Sequence, residues 1–323
     1  MLVQDIAYQF GYNLYRLRLH YKLALNGSNT LNVASTIKTR VAVDADLLQI
    51  QELYAIWGHA FAYLLNDQTF VAEVNGEIVG AIRLTFEDSS FVVRSLFVHQ
   101  KSRGKGIAIA LLQKVEMELG VAEAYCLPFP EQEKLFSSIG FNSVAELTAP
   151  DFLISRRAIL NQSDQDVVIM KRSIGVEIRP LPARDLPLAM NLIYEFELSE
   201  VKKLRENDVR SIYSKIIAAG GAVFGAYRGS SIIGTCTLNV CANLSWSGRP
   251  YGIVENIIVT KNERSKGIGK SLLLFARRMA ESENCYKVAL MTNQQDPATV
   301  SFYKSAGFSG DKIGYQRRFG AEQ

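Results

Sequence analysis

The sequence predicts an α/β protein made of two tandem copies of one domain. The chain has 323 residues, which is too long for one ordinary domain and suits two that each bury a core. Each half contains a buried strand, a basic glycine-containing turn and an amphipathic helix in succession, at residues 91–119 and 253–275. The turn in the second half follows that in the first by 161 residues, counted from Arg103 to Arg264. We therefore interpret the first half as a second copy of the same fold.

The composition is that of a globular protein, with 48% hydrophobic and 21% charged residues. No apolar run approaches the ~20 residues of a membrane span, and the N-terminus lacks the pattern of a secretory signal, so a cytoplasmic protein is expected. The net charge of +4 is modest, and we expect no nucleic-acid partner. The four cysteines form no CxxC pair. A disulfide framework or a metal site is therefore not expected.

The first 35 residues stand apart from both copies. Residues 4–25 have apolar positions at steps of three and four, which favours an amphipathic helix, but from Arg16 onward apolar and basic residues also alternate as in a strand. We prefer the helix and expect it to dock on the protein's own surface, with a partner or homodimer contact as the second interpretation. Residues 27–35 have the composition of a linker.

The first copy, 36–172, follows a regular order. A strand at 36–42 precedes a helix beginning near Asp44, and a hairpin over 70–86 turns at Asn75-Gly76. The strand, turn and helix of residues 91–119 come next. The last apolar strand is predicted at 167–170, with the linker near residues 171–175.

The second copy, 176–323, repeats that order. Its first strand starts at Val176, its helix at about Ala183, and its hairpin spans 223–240 around Arg228-Gly229. A second pair of matching motifs follows the turns: residues 136–141 correspond to residues 303–308, at a spacing of 167. Two matching motifs at nearly constant spacing are hard to obtain by chance.

The turn after each buried strand is predicted to bind a phosphate or pyrophosphate. A helix N-terminus presents unpaired N–H groups and partial positive charge, and glycines let an anion approach them. A Walker A loop would need glycine where Arg264 stands, and a dinucleotide-binding GxGxxG would need it at Leu272. For the turn alone, a basic surface turn that caps a helix is the simpler alternative.

The pattern Arg264-x-x-Gly267-x-Gly269 after a strand resembles the acyl-CoA-binding turn of the GNAT superfamily of N-acetyltransferases. The second copy is also similar to the branch that contains glucosamine-6-phosphate N-acetyltransferase, through residues 249–256, 285–288 and 302–308. This resemblance implies two GNAT domains, each a mixed, mostly antiparallel sheet flanked by helices. It also implies acetyl-CoA as the cofactor, with its pantetheine beside a central strand that bulges away from its neighbour.

The resemblance assigns cofactor contacts residue by residue. In the second copy these are the strand residues Ile257, Ile258 and Val259, and the turn residues Arg264, Ser265, Lys266, Gly267, Ile268 and Gly269. The matching positions of the first copy are Leu96, Phe97, Val98, Arg103, Gly104, Lys105, Gly106, Ile107 and Ala108. Asp296 departs from the family pattern, where many relatives carry a cofactor-contacting asparagine. That contact is left open.

Amine acetylation needs two proton-handling groups. An acceptor amine is protonated at neutral pH and must lose a proton before it attacks a thioester, so a base is required. Glu255 lies in an apolar strand, where burial is expected to raise its pKa toward a useful range. Tyr303 stands where the family places the tyrosine acid that protonates the leaving thiolate. The simpler alternatives are a salt-bridged strand residue for Glu255 and a half-buried aromatic for Tyr303.

Two hypotheses about function follow. In the first, the protein is an N-acetyltransferase for a small-molecule or protein amine, and in the second it is a non-catalytic acyl-CoA sensor or scaffold. Arg94 and Phe136 replace Glu255 and Tyr303 in the first copy, so we expect catalysis in the second copy alone. In this fold acceptor specificity comes from the segments here at 194–210 and 239–249, whose mixed charge selects no substrate class.

Overall fold

The computed structural model describes residues 37–56, 67–162, 166–196, 202–292, 296–312, 314–315 and 317. The chain forms two compact units divided between Ile174 and Gly175, with residues 120–122 grouped with the second unit. The segment predicted at 4–25 and the linker predicted at 27–35 lie outside the described residues. Within the described ranges, no helix has the length and apolar character needed to cross a membrane.

The first unit is built on a seven-stranded sheet in the order β1-β2-β3-β4-β5-β7-β6. Its strands are β1 Lys38–Val41, β2 Asp67–Val74, β3 Glu77–Glu87, β4 Ser90–Val98, β5 Ala124–Cys126, β6 Phe141–Ser143 and β7 Met170–Arg172. All neighbours pair antiparallel except β4 and β5, which are parallel. Its helices are α1 Leu47–Ala55, α2 Ile107–Leu119, α3 Glu133–Ser137 and α4 Asp151–Gln162. The sheet is thus mixed and mostly antiparallel, as the resemblance to the GNAT superfamily implies.

The second unit repeats this plan with a five-stranded sheet in the order β12-β11-β10-β9-β8. Its strands are β8 Glu177–Pro180, β9 Ala222–Arg228, β10 Ser231–Cys241, β11 Tyr251–Val259 and β12 Val288–Leu290. Among these described strands, β11 and β12 pair in parallel and the other neighbours pair antiparallel. Its helices are α5 Leu186–Phe196, α6 Glu206–Ala218, α7 Ile268–Ser282 and α8 Pro297–Ser305.

Helix α7 forms the centre of the second core. Its apolar residues recur every three or four positions, so one face can pack on the sheet. Leu272 and Phe275 are fully buried there, and the Phe275 ring lies 5.9 Å from that of Phe224 on β9. Burial of each such side chain contributes roughly 1.5–3 kcal/mol. This packing fixes the position of the N-terminus of α7, where the basic turn ends.

The end of the first unit corrects the sequence prediction. Residues 167–170 were expected as the last strand and 171–175 as the linker, whereas β7 covers Met170–Arg172. The Arg172 side chain is buried, and its Nε donates a hydrogen bond of 2.9 Å to the Ile139 carbonyl. Lys171 lies 2.7 Å from the Glu123 carboxylate. Charged residues with such partners can occupy a strand that composition alone would end earlier.

Candidate active site

The middle of β11 contains a β-bulge. Thr235 of β10 lies opposite Ile258, and Thr237 lies opposite Glu255, so β11 has one extra residue in this interval. Asn256 has φ of 53°, a left-handed conformation that asparagine tolerates better than most residues. The bulge explains why two polar side chains interrupt an apolar strand.

Beyond the bulge, β11 separates from its parallel neighbour. In the described part of the chain, the ladder between β11 and β12 covers only residues 252–254. Ile257, Ile258 and Val259, the predicted backbone contacts for acetyl-CoA, lie on the part that extends past this ladder. A strand whose neighbour has ended offers backbone groups to an extended ligand.

A left-handed glycine turn connects β11 to α7. Ser265 and Gly267 have φ of 60° and 84°, and α7 begins at Ile268. Arg264 Nε donates a 3.0 Å hydrogen bond to the carbonyl of Val259, which holds the turn against the strand end. Gly267 and Lys266 are exposed. The helix N-terminus therefore faces solvent through a residue without a side chain, as an anion site requires.

The two glycines of this turn occupy different surroundings. A Cβ on Gly269 would lie only 3.1 Å from the Phe302 ring, so its lack of a side chain lets α8 pack against α7. Gly267 has its backbone in the left-handed region, where a side chain is strained. Close approach of an anion is thus supported at Gly267, whereas Gly269 has a packing reason of its own.

The first unit reproduces the bulge and the turn. Ser95, in the position of Asn256, has φ of 53°, and the ladder between β4 and β5 ends after residues 91–93. Arg103 Nε donates a 3.2 Å hydrogen bond to the Val98 carbonyl, and Gly104 and Gly106 have φ of 73° and 80°. Leu96, Phe97 and Val98 lie beyond that ladder, as their counterparts do. Lys105 lies in the turn, Ile107 opens α2 and Ala108 follows it. Both units therefore fit the same kind of ligand by backbone conformation.

Tyr303 lies on α8 in a half-buried aromatic cluster. Its ring centroid lies 4.9 Å from that of Phe302. Burial raises the pKa of Tyr303 from its ordinary value of 10.0, the neighbouring Cys236 adds to this, and a hydrogen bond from the Thr292 side chain acts in the opposite direction. The hydroxyl therefore keeps its proton at neutral pH, as a proton donor must.

Glu255 lies on the open surface of the sheet. It is exposed, so the expectation that burial acts on this carboxylate is wrong. The reason is its position: Val254 faces inward and is 2% exposed, and alternation turns the next side chain outward. Thr237 of β10 lies opposite Glu255.

In the first unit, different side chains occupy these two positions. Arg94 directly precedes its bulge residue, as Glu255 does in β11, and is paired with Glu87 at 3.1 Å. Phe136 is buried, 5.9 Å from Phe141 in an edge-to-face contact. Neither side chain can exchange a proton at neutral pH.

The structure adds neighbours that sequence reasoning missed. Thr292 and Cys236 both act on the Tyr303 hydroxyl, and no sequence motif links either to that residue. Asp296, whose role was left open, caps α8 by accepting 3.0 Å hydrogen bonds from the amides of Ala298 and Thr299. Its preference for a helix N-cap could have been recognised from Asp296-Pro297, an acidic residue directly before proline.

A groove of about 220 Å³ lies between α5 and α6 and overlaps the segment 194–210 that is expected to select the acceptor. It is lined by Leu186, Pro187, Met190, Asn191, Tyr194, Leu204, Glu206, Val209 and Arg210. Glu255 and Tyr303 are not among these residues. The groove alone therefore does not identify the acceptor.

Comparisons with known proteins assign both halves of the chain to one family. The model described as "Acetyltransferase (GNAT) family" matches residues 189–308, and that described as "Acetyltransferase (GNAT) domain" matches residues 66–143. A curated relative, glucosamine 6-phosphate N-acetyltransferase of Trypanosoma brucei brucei, is 27% identical over 137 residues, which are 42% of this chain and 90% of the relative.

Solved structures of similar proteins cover less than half of this chain. A putative acetyltransferase from Agrobacterium tumefaciens is 31% identical, with a TM-score of 0.41, over 44% of this chain and 99% of its own. Glucosamine-6-phosphate N-acetyltransferase from Arabidopsis thaliana is 19% identical, with a TM-score of 0.40, over 45% of this chain and 99% of its own.

Proposed function

Since the chain carries two domains of the GNAT acetyltransferase family and is an acyltransferase, we propose that its second domain acetylates an amine of a small molecule or protein. The observation that carries the proposal is the combination of the bulged β11, its separation from β12 and the open turn at Gly267. GNAT acetyltransferases use acetyl-CoA as the acetyl donor. Bound there, acetyl-CoA supplies an acetyl thioester next to the bulge.

Two side chains handle the protons in this proposal. Glu255 accepts a proton from the acceptor ammonium, directly or through water, and its exposure leaves it open to an acceptor arriving on that face. Tyr303, whose hydroxyl is protonated at neutral pH, donates a proton toward the leaving thiolate. The turn residues from Arg264 to Gly269 hold the pyrophosphate, with the amides of the α7 N-terminus as donors.

The two domains divide the work in this proposal. The first, at 36–172, keeps the bulge and the glycine turn and so binds CoA, but it lacks both proton-handling groups at Arg94 and Phe136. The second, at 176–323, carries out the transfer. In this proposal the first domain binds CoA without turning it over, whereas in the alternative the whole chain is a non-catalytic sensor or scaffold.

Release of CoA in the presence of a panel of amines tests the proposal. The panel includes glucosamine 6-phosphate, the acceptor in the name of the curated relative, together with other amino sugars, polyamines and peptides. We expect steady turnover with at least one amine. Tight binding of acetyl-CoA without turnover on any amine, including protein N-termini, would favour the sensor instead. Action in the cytoplasm and a homodimer are parts of the proposal that fractionation and sedimentation would check.

A further inference from the structure

In the first domain, two arginines lie opposite each other at the position that corresponds to Glu255 and its strand partner in the second domain. Arg83 of β3 lies directly opposite Arg94 of β4, next to the bulge. The second domain has Thr237 opposite Glu255 in that place. The second domain thus has a neutral threonine opposite a glutamate, where the first domain has two positively charged arginines. Like charges directly opposite on neighbouring strands are destabilising without compensation.

The carboxylates near these arginines in the described part of the chain do not balance all of their positive charge. Arg83 contacts the Asp67 carboxylate, and Arg94 Nη1 lies 3.1 Å from Glu87 Oε1. A third arginine, Arg156 of α4, shares that carboxylate at 2.5 Å from Oε2. Arg94 Nη2 also lies 3.9 Å from Asp67 Oδ2. Among the described residues, three guanidinium groups therefore meet two carboxylates, one positive charge more than these two carboxylates balance.

The cluster is buried enough for this excess to matter. The side chains of Arg83 and Asp67 are 8% and 2% exposed, and a buried charge without a counter-charge is costly. Arg94 Nε is buried with no hydrogen-bond partner among the described residues. Burial lowers the pKa of Arg94, Glu87 opposes this, and the charge of Arg156 lowers it further. The Arg94 side chain is nevertheless 27% exposed, so a ligand can reach it.

We propose that Arg94, with the positive charge of Arg83 directly across the strand pair, forms a carboxylate-binding site at the end of the first domain's cofactor strand where the acyl group would lie. Arg94 lies two residues before Leu96, the first of the strand residues assigned to the pantetheine. A carboxylate beside Arg94 would supply the missing negative charge and accept from its guanidinium. Its source is the terminal carboxylate of a dicarboxylic acyl-CoA or a free dicarboxylate. The first source rests on the proposed CoA binding by this domain.

Titration calorimetry on the full chain tests the site. The Gly267→Val background removes cofactor binding at the second domain, and malonyl-CoA, acetyl-CoA and free malonate are the probes. We expect malonyl-CoA to bind about tenfold more tightly than acetyl-CoA, the gain of one charge-assisted hydrogen bond. Arg94→Gln should abolish this preference and Arg94→Lys should keep part of it. If the source is a free anion, malonate alone raises the Tm of the parent but not of Arg94→Gln.

Arg157→Gln is the control, because it removes a positive charge from α4, the helix that carries Arg156, but Arg157 pairs with Glu146 rather than with Glu87. It should leave the ratio of the two affinities unchanged. A purely structural role for Arg94 would lower the Tm without changing that ratio. Equal affinities together with no malonate effect would overturn the inference, as would failure of all three probes to bind. Amine acetylation by the parent chain is measured in a separate assay. If the parent chain acetylates no amine, that result counts against the proposed function and not against the carboxylate site.

Discussion

Tyr303 is the residue on which the proposed chemistry depends most. Its hydroxyl, whose pKa burial raises from the ordinary value of 10.0, carries at neutral pH the proton that the leaving thiolate needs. We expect Tyr303→Phe to lower turnover by about two orders of magnitude, the usual effect of a positioned acid. Loss of one hydrogen bond with Thr292 should cost only about 1 kcal/mol of stability. Steady-state CoA release and thermal unfolding measure the two effects.

Tyr286→Phe is the control for this change. Tyr286 stacks on Trp246 through its ring, at 5.2 Å between centroids, and has no part in the proposed site. It should retain full turnover. A Tyr303→Phe variant as active as Tyr286→Phe would remove the acid from the mechanism.

Glu255 is the other residue to which the proposed chemistry assigns a proton transfer. Its exposed carboxylate opposite Thr237 is assigned as the base, so Glu255→Gln should lower turnover by about two orders of magnitude with little change in stability. Acetyl-CoA affinity, measured by calorimetry, should persist. The control Glu177→Gln loses a carboxylate paired with Arg179 at 3.1 Å and should stay active. Unchanged turnover in Glu255→Gln would show that another group, or water, accepts the proton.

What the sequence could predict differs between these two residues. The motif that continues through Gly307 and Phe308 marks the position of Tyr303, because local spacing carries over between related chains. The exposure of Glu255 could not be derived, since an apolar strand does not reveal which of its faces is covered. The neighbours Thr292 and Cys236 approach Tyr303 only through tertiary packing.

Among the elements, the junction between α7 and α8 depends on Gly269. A Cβ there would press on the Phe302 ring at 3.1 Å. We expect Gly269→Val to destabilise the second domain by about 1–3 kcal/mol through overpacking. The measurement is denaturant unfolding of Gly269→Val, Phe302→Ala and the double variant. If overpacking is the cause, the loss in unfolding free energy of the double variant should be smaller, by at least ~0.5 kcal/mol, than the sum of the losses of the two single variants. Strictly additive losses would contradict the packing role.

The elements themselves were largely predictable. The first strand, the hairpin and the buried strand of each copy, and the helix after each glycine turn, followed from the apolar pattern, and the first hairpin's turn followed from Asn75-Gly76, both with positive φ. Two polar residues inside β11 were recognised as needing a reason, and the bulge supplies it. The extent of β7 was wrong because its basic residues are paired with partners far away in sequence, which periodicity does not register.

For the whole molecule, duplication was visible from the matched turns, and the two GNAT domains are confirmed. The sequence also showed that Arg94 replaces the base. It could not show that Arg83, Arg94 and Arg156 converge on two carboxylates, because these five side chains come from four separate elements. The grouping of these three arginines around two carboxylates can be seen only in the folded chain.

The central claim is the division of labour between the domains, and comparing the two cofactor turns tests it most directly. Gly106→Val and Gly267→Val place the same side chain at φ of 80° and 84°, so backbone strain of ~1–3 kcal/mol affects both. Gly229→Val, at φ 59° in the β9–β10 hairpin of the second domain, is the control for strain without a ligand site.

The measurement is steady-state CoA release by the three variants, each verified as folded by thermal unfolding. We expect Gly106→Val and Gly229→Val to retain most of the parent turnover, and Gly267→Val to lose nearly all of it together with acetyl-CoA binding by the second domain. Loss of acetyl transfer in Gly106→Val, with Gly267→Val still active, would contradict the account and assign catalysis to the first domain.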